Sequence, residues 1–181
     1  KCKAQLISRN IASTIVIDNK LKFAESRKSG IRKALSLNIE VGESNDVDGF
    51  WHVLEDNLGN RYNAKPVHTA SEMKLLMSRF PNNIKLYVAK MNGEIVGGTL
   101  IYVTPQVVHT QYISASVEGK KHGALDLLFD LIINKVYANC RYFDFGKSTE
   151  QGGAYLNEPL IFQKEGFGGR GVCYDWYQWE L

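Results

Sequence analysis

Cysteine is scarce in this chain and carries no pattern. Cys2, Cys140 and Cys173 are odd in number and share no C-x-x-C spacing, which argues against a zinc site or a disulfide framework. They read as reduced, structural thiols, because an isolated cysteine behaves as a small buried hydrophobe. Long apolar runs are also missing: none approaches the ~20 residues that a membrane-spanning helix needs. No membrane insertion is therefore expected. The opening Lys-Cys-Lys-Ala-Gln lacks the ordered segments of a signal peptide, so a soluble cytoplasmic chain is the expectation. It begins at Lys1 rather than Met, which suggests a piece of a longer protein.

Repeats, low-complexity tracts and linkers are absent too, and 181 residues fit one well-cored domain plus an extension. What is present is an uneven charge. Residues 1 to 35 hold nine Lys and Arg against Asp18 and Glu25, a balance of +7, whereas the whole chain carries only +3. Such a split can mark a face for phosphate or nucleic acid, or simply a solvated basic helix.

Periodicity and punctuation sketch the elements. Ile11 to Asp18 reads as a strand, and residues 23 to 36 as a basic helix weakened by Gly30. Asn38 to Glu43 is a short strand. Ser44-Asn45-Asp46 offers an N-cap to a helix carrying Phe50, Trp51, Val53, Leu54 and Leu58. Thr69 and Glu72 form a capping-box pattern before a second helix that Pro81 stops. Asn92-Gly93 predicts a hairpin between Ile84–Met91 and Glu94–Val103, followed by a strand over Val107–Ser116. Ala124 to Tyr137 is apolar almost throughout and predicts a buried helix. Arg141–Gly146 and Gly171–Leu181 are the last strands, with Gly166-Phe167-Gly168 expected as an aromatic-glycine hairpin.

From residue 38 onward this order resembles the GNAT acyltransferase fold, an α/β mixed sheet with helices on both faces. Residues 1–37 then form a basic strand-helix extension, the tail of an upstream GNAT-like half, and residues 38–181 the GNAT-like domain. More closely, the chain is similar to the Fem-type (FemABX-like), acetyltransferase-like bacterial branch over roughly residues 20 to 181. That resemblance rests on R-K-S-G-I-R-K-A-L (Arg27 to Leu35), P-V-H-T and R-F-P, H-T-Q-Y-I, G-A-L-D-L-L-F, Y-F-D-F-G-K-S-T-E and Q-K-E-G-F-G (Gln163 to Gly168). It implies transfer of an acyl group, from acetyl-coenzyme A or another acyl-coenzyme A, onto an amine, with no metal. Two alternatives stand beside it. One is Fem-type aminoacyl transfer from aminoacyl-tRNA to a peptidoglycan-precursor amine, with the basic N-terminal segment meeting the tRNA. The other is a non-catalytic GNAT-like binding module.

The resemblance also names site residues. Backbone groups of Ile113, Ser114, Ala115 and Ser116 would pair with a pantetheine arm where two strands splay. The turn bearing Gly119, Lys120, Gly123 and Ala124 would meet pyrophosphate at a helix start, although the family's fingerprint matches there only at Gly123. The Tyr that many GNAT enzymes place four residues before the Gly-Phe pair is Phe162 here, which has no proton to donate. Lys164 matches a family lysine suited to an oxyanion or phosphate. His109 is a candidate general base, and alternation puts it on the opposite face from Tyr112. Asp144, among aromatics, could carry a raised pKa and act as base. Glu150 is the candidate for orienting an acceptor amine, and Tyr155 a substitute for the missing phenol. His68 and His122 read as structural.

Overall fold

The computed structural model describes residues 3–62 and 64–179; Cys2 and the end of the predicted last strand, Glu180 and Leu181, lie outside the described residues. The main elements are β1 (Gln5–Val16), α1 (Glu25–Ser36), β2 (Glu40–Ser44), α2 (Val47–Tyr62), α3 (Ala70–Arg79), β3 (Ile84–Met91), β4 (Glu94–Val103), β5 (Val107–Ala115), α4 (Val117–Lys121), α5 (Ala124–Leu131), β6 (Tyr142–Lys147), β7 (Thr149–Glu150), β8 (Tyr155–Leu156), α6 (Glu158–Gly166) and β9 (Arg170–Gln178).

Local chemistry sets several boundaries. The Thr69 hydroxyl accepts from the Glu72 amide while the Glu72 carboxylate accepts from the Thr69 amide at 2.7 Å, so two otherwise unpaired donors are satisfied at the start of α3. Asp46 starts α2 by accepting from the Gly49 amide at 2.9 Å. Asn92 and Gly93 both have positive φ, the geometry a two-residue hairpin requires. The apolar helix from Ala124 continues beyond α5 through a wider turn, Ile132–Val136.

Seven strands form one sheet in the order β2-β3-β4-β5-β6-β1-β9. Among the described residues only β5 and β6 run parallel, because α4 and α5 carry the chain back between them. The strand-helix predicted to precede the GNAT order is present, but β1 is threaded into the sheet, hydrogen-bonded to β6 on one side and β9 on the other. Its Ile15 and the following Ile17 pack with Phe129, Phe143, Phe145 and Phe167 in the core under α5. On the other face, Phe50, Trp51 and Leu54 of α2 and Met73 of α3 bury Leu86, Val88 and Leu100.

Helix α1 lies against α5, and Gly30 is what allows it. A Cβ at Gly30 would sit 1.8 Å from Asp126 Oδ2, and one at Gly123 would sit 2.4 Å from the Gly30 carbonyl oxygen. Gly123 also has φ of +74°, which side chains rarely tolerate. The glycine that weakens α1 as an isolated helix is therefore the contact point that docks it.

Candidate active site

The sheet opens where β5 and β6 part. They pair in parallel at Val107↔Tyr142, Val108↔Phe143 and His109↔Asp144, and among the described residues no pair follows. From Ile113 to Ala115, β5 keeps its β4 partners on one edge and has none on the β6 edge. This is the expected splay.

A cavity lies on each face of the fork. On the α5 side, one of about 460 Å³ is lined by Ile113, Ser114, Ala115, Gly119, Lys120 and Gly123, with Phe145, Phe162, Lys164 and Arg27. Six of the eight predicted donor-binding residues meet there. Ser116 and Ala124 do not: the Ser116 hydroxyl caps α4 by accepting from Gly119 N at 3.1 Å, and Ala124 is packed with Ala34, Ala89 and Val96. On the opposite face, a cavity of about 820 Å³ is lined by Thr14, His109, Thr110, Gln111, Tyr142, Asp144, Lys147 and Tyr174. Phe145 borders both.

The turn from Val117 to Gly123 is not an open phosphate loop. Its first part coils into α4, and both glycines answer to packing: a Cβ at Gly119 would fall 2.0 Å from the Val96 carbonyl oxygen, and Gly123 is pressed against α1. The unpaired edge of β5 leaves backbone groups open to an amide arm, whereas positive charge reaches this cavity from the side chains of Lys120 and Arg27 rather than from the amides of that turn. Arg27 is held by Asp126 at 2.7 Å and lies over the Phe167 ring. Burial pushes the Asp126 carboxyl up, and Arg27 only partly opposes it.

In the larger cavity, His109 and Asp144, predicted as alternative bases, form a single pair. His109 Nδ1 lies 2.6 Å from Asp144 Oδ2, and Thr14 of β1 donates to Asp144 Oδ1 at 2.9 Å. The expected raised pKa of Asp144 is overturned. Burial does push it up, but the hydrogen bonds from His109 and Thr14 and the proximity of His109 outweigh it, and the carboxyl lies below its ordinary value. An ionised carboxylate only accepts, so Nδ1 donates to it, and in the neutral form of the ring the lone pair is on Nε2. Gly146, at φ of +70°, leaves room for the imidazole; a Cβ there would lie 3.2 Å from His109 Cε1.

His109 and Tyr112 stand on one face rather than two. A bulge at Gln111 lets Ile101 pair with Thr110 and Leu100 with Tyr112, which resets the alternation. Tyr112 then meets His68, whose Nδ1 lies 2.7 Å from its hydroxyl.

Lys164 is neither on the surface nor in a hairpin. The Gly166-Phe167 pair ends α6, and Lys164 in its last turn is 4% exposed. Its ammonium donates to the carbonyls of Gly146 (3.0 Å) and Lys147 (2.7 Å) and to the Ser148 hydroxyl (3.0 Å). An ammonium has three protons, and all are committed. Burial lowers its pKa to about 8. Glu150 and Tyr155 lie on the small β7–β8 ribbon, where Glu150 accepts from Asn157 at 2.7 Å, and neither borders the two cavities. Much of the basic charge of α1 is also partnered: Lys28 and Arg32 with Glu25, Arg27 with Asp126.

A family model described as an acetyltransferase (GNAT) domain matches residues 22–155, more than half of the chain. The chain belongs to the GNAT acetyltransferase family. The matched span of this GNAT domain holds the fork, His109 and Asp144, and stops short of Lys164. FemX is similar in structure with a TM-score of 0.67 at 12% identity, over 93% of this chain and 61% of that one. L-PGS from Bacillus licheniformis gives 0.66 at 14%, over 97% and 60%. A possible acetyltransferase from Clostridium difficile 630 gives 0.55 at 14%, over 79% and 97%. At such identities the likeness is one of fold. The GNAT domain spans about three fifths of the length of FemX and L-PGS. No curated protein sequence matches it. Among the described residues, no helix is long and apolar enough to cross a membrane.

Proposed function

We propose that this chain transfers an acyl group from a thioester of the acyl-coenzyme A type to an amine. The donor lies in the 460 Å³ cavity along the unpaired edge of β5, and the acceptor amine approaches through the 820 Å³ cavity. The observation that carries this reading is the fork itself, with a cavity on each face and a histidine–aspartate pair at its vertex.

Each side chain then has a task. His109 Nε2 takes a proton from the amine, and Asp144, steadied by Thr14, orients the ring and stabilises the imidazolium that forms. The amine nitrogen bonds to the acyl carbon, the carbon–sulfur bond breaks, and sulfur leaves as the thiolate towards the α5 side, where Phe162 in place of a phenol supplies no proton. Lys164 is a positioning residue: it ties down the end of β6 and so fixes Gly146 beneath His109. That residues 1–37 continue an upstream half belongs to the same proposal and is supported by the share of FemX that this chain spans.

The test is thermal unfolding with and without acetyl-coenzyme A at two salt concentrations. At a hundredfold excess over Kd, binding adds ~2.7 kcal/mol, a rise of roughly 5 to 10 °C for a domain of this size. A rise that survives salt supports the donor assignment. Its absence refutes it and turns attention to an aminoacyl-tRNA donor or a non-catalytic module.

A further inference from the structure

Buried hydroxyl groups nearly always find a partner, because one stripped of water and left unpaired costs free energy. Thr110 does not conform. It is 5% exposed, and its Oγ1 is buried without a hydrogen-bond partner among the described residues. Ser13 and His122 also hold an unpartnered buried atom, yet neither borders a cavity at the fork, whereas Thr110 does.

Its place in the chain is specific. Thr110 is the first residue of β5 beyond the last parallel pair, His109↔Asp144, and immediately precedes the bulge at Gln111. Continuing that register by one step puts Phe145 of β6 opposite it, and a phenyl ring offers no hydrogen-bond partner; the next residue, Gly146, has no side chain, and a Cβ there would lie 3.9 Å from the Thr110 carbonyl oxygen. The other polar group predicted for this region, the Lys164 ammonium, already serves three acceptors.

We infer that the Thr110 hydroxyl is a catalytic hydrogen-bond donor to the carbonyl oxygen of the acyl group. The inference rests on the acyl-transfer reading and adds a residue to it. As the amine nitrogen bonds to the carbonyl carbon, the π pair moves onto oxygen, and Thr110 Oγ–H stabilises that charge while keeping its own proton. The pair then returns, the carbon–sulfur bond breaks, and sulfur departs with its electrons. The amine proton is on His109. A donor already dry and unpaired in the resting protein loses no other bond when the oxyanion forms.

The decisive variants are Thr110→Val and Thr110→Ser, studied with acetyl-coenzyme A labelled with carbon-13 at the carbonyl. Valine replaces the hydroxyl with a methyl of similar shape, so Thr110→Val should melt no lower than wild type. It should nevertheless shift the bound carbonyl stretch to higher frequency and lower turnover by about 10²-fold, with KM for the donor nearly unchanged. Thr110→Ser should retain the wild-type stretch and most of the turnover. A carbonyl stretch and turnover unchanged in Thr110→Val overturn the inference while leaving acyl transfer intact. A fall in melting temperature of Thr110→Val that accounts for its lost activity also overturns it. A wild type that does not bind acetyl-coenzyme A removes the donor assignment, and this inference with it.

Discussion

The two cavities at the fork differ in how they treat charge. On the α5 side, Phe129, Phe145 and Phe167 make the wall, and the charged groups that reach it are held by the protein: Arg27 by Asp126, Lys164 by three acceptors. On the other side the wall holds Tyr142, Tyr174 and Lys147, and His109 keeps a ring nitrogen clear of Asp144. The separation comes from strand alternation, which sends Phe143 and Phe145 to one face of β6 and Asp144 to the other. In the proposed reading, one face holds an apolar arm and the other moves a proton.

The largest effect that would break this division is at His109. His109→Gln should lower turnover by about 10²- to 10⁴-fold without changing how much the donor raises the melting temperature. Equal losses on both measurements would mean that the two faces are not separate.

Stability is the next test. Gly123→Ala forces a side chain into a positive-φ position against the Gly30 carbonyl, and calorimetry should show a loss of about 2–4 kcal/mol. A neutral result would mean that α1 is not docked there.

Lys164 gives a smaller, pH-dependent effect. Its pKa is about 8 in the folded chain against an ordinary 10.5, so between those values the unfolded chain binds a proton that the folded one has released. Wild type should therefore gain stability relative to Lys164→Met as pH rises from about 8 towards 10.5, by an amount of order 1–3 kcal/mol. Parallel curves for the two proteins would place the lysine in water instead. The smallest effect is expected from Glu150→Gln and Tyr155→Phe, since neither residue borders the fork; each should keep turnover within about twofold, and a tenfold loss would enlarge the site to include the β7–β8 ribbon.

What the sequence disclosed, and what it concealed, follows from the range of the interactions involved. Asn92-Gly93, the Thr69–Glu72 box and the apolar run from Ala124 act over a few residues, and each forms where predicted. Most of the residues that line the α5-side cavity beside the β5 edge were legible from the fold order, because a strand that splays leaves an edge whatever its side chains are. The place of β1 was not, since its partners β6 and β9 lie more than a hundred residues away. Nor was the bulge at Gln111, a single extra residue that carries no turn signal yet brings His109 and Tyr112 to one face. Asp144 was misjudged for a related reason: its aromatic neighbours in sequence point to the opposite face, and the groups that lower its pKa come from β1 and β5. Thr110 could not stand out in a sequence at all, because what marks it is the partner it lacks.

The central claim is that donor binding and proton removal occupy opposite faces of one fork, and His109→Gln tests it in a single comparison. Thermal unfolding with saturating acetyl-coenzyme A, run beside a thiol-release assay on the same samples, should show a donor-induced rise equal to that of wild type together with almost no release. A variant that loses the rise, or one that releases thiol at the wild-type rate, would contradict it.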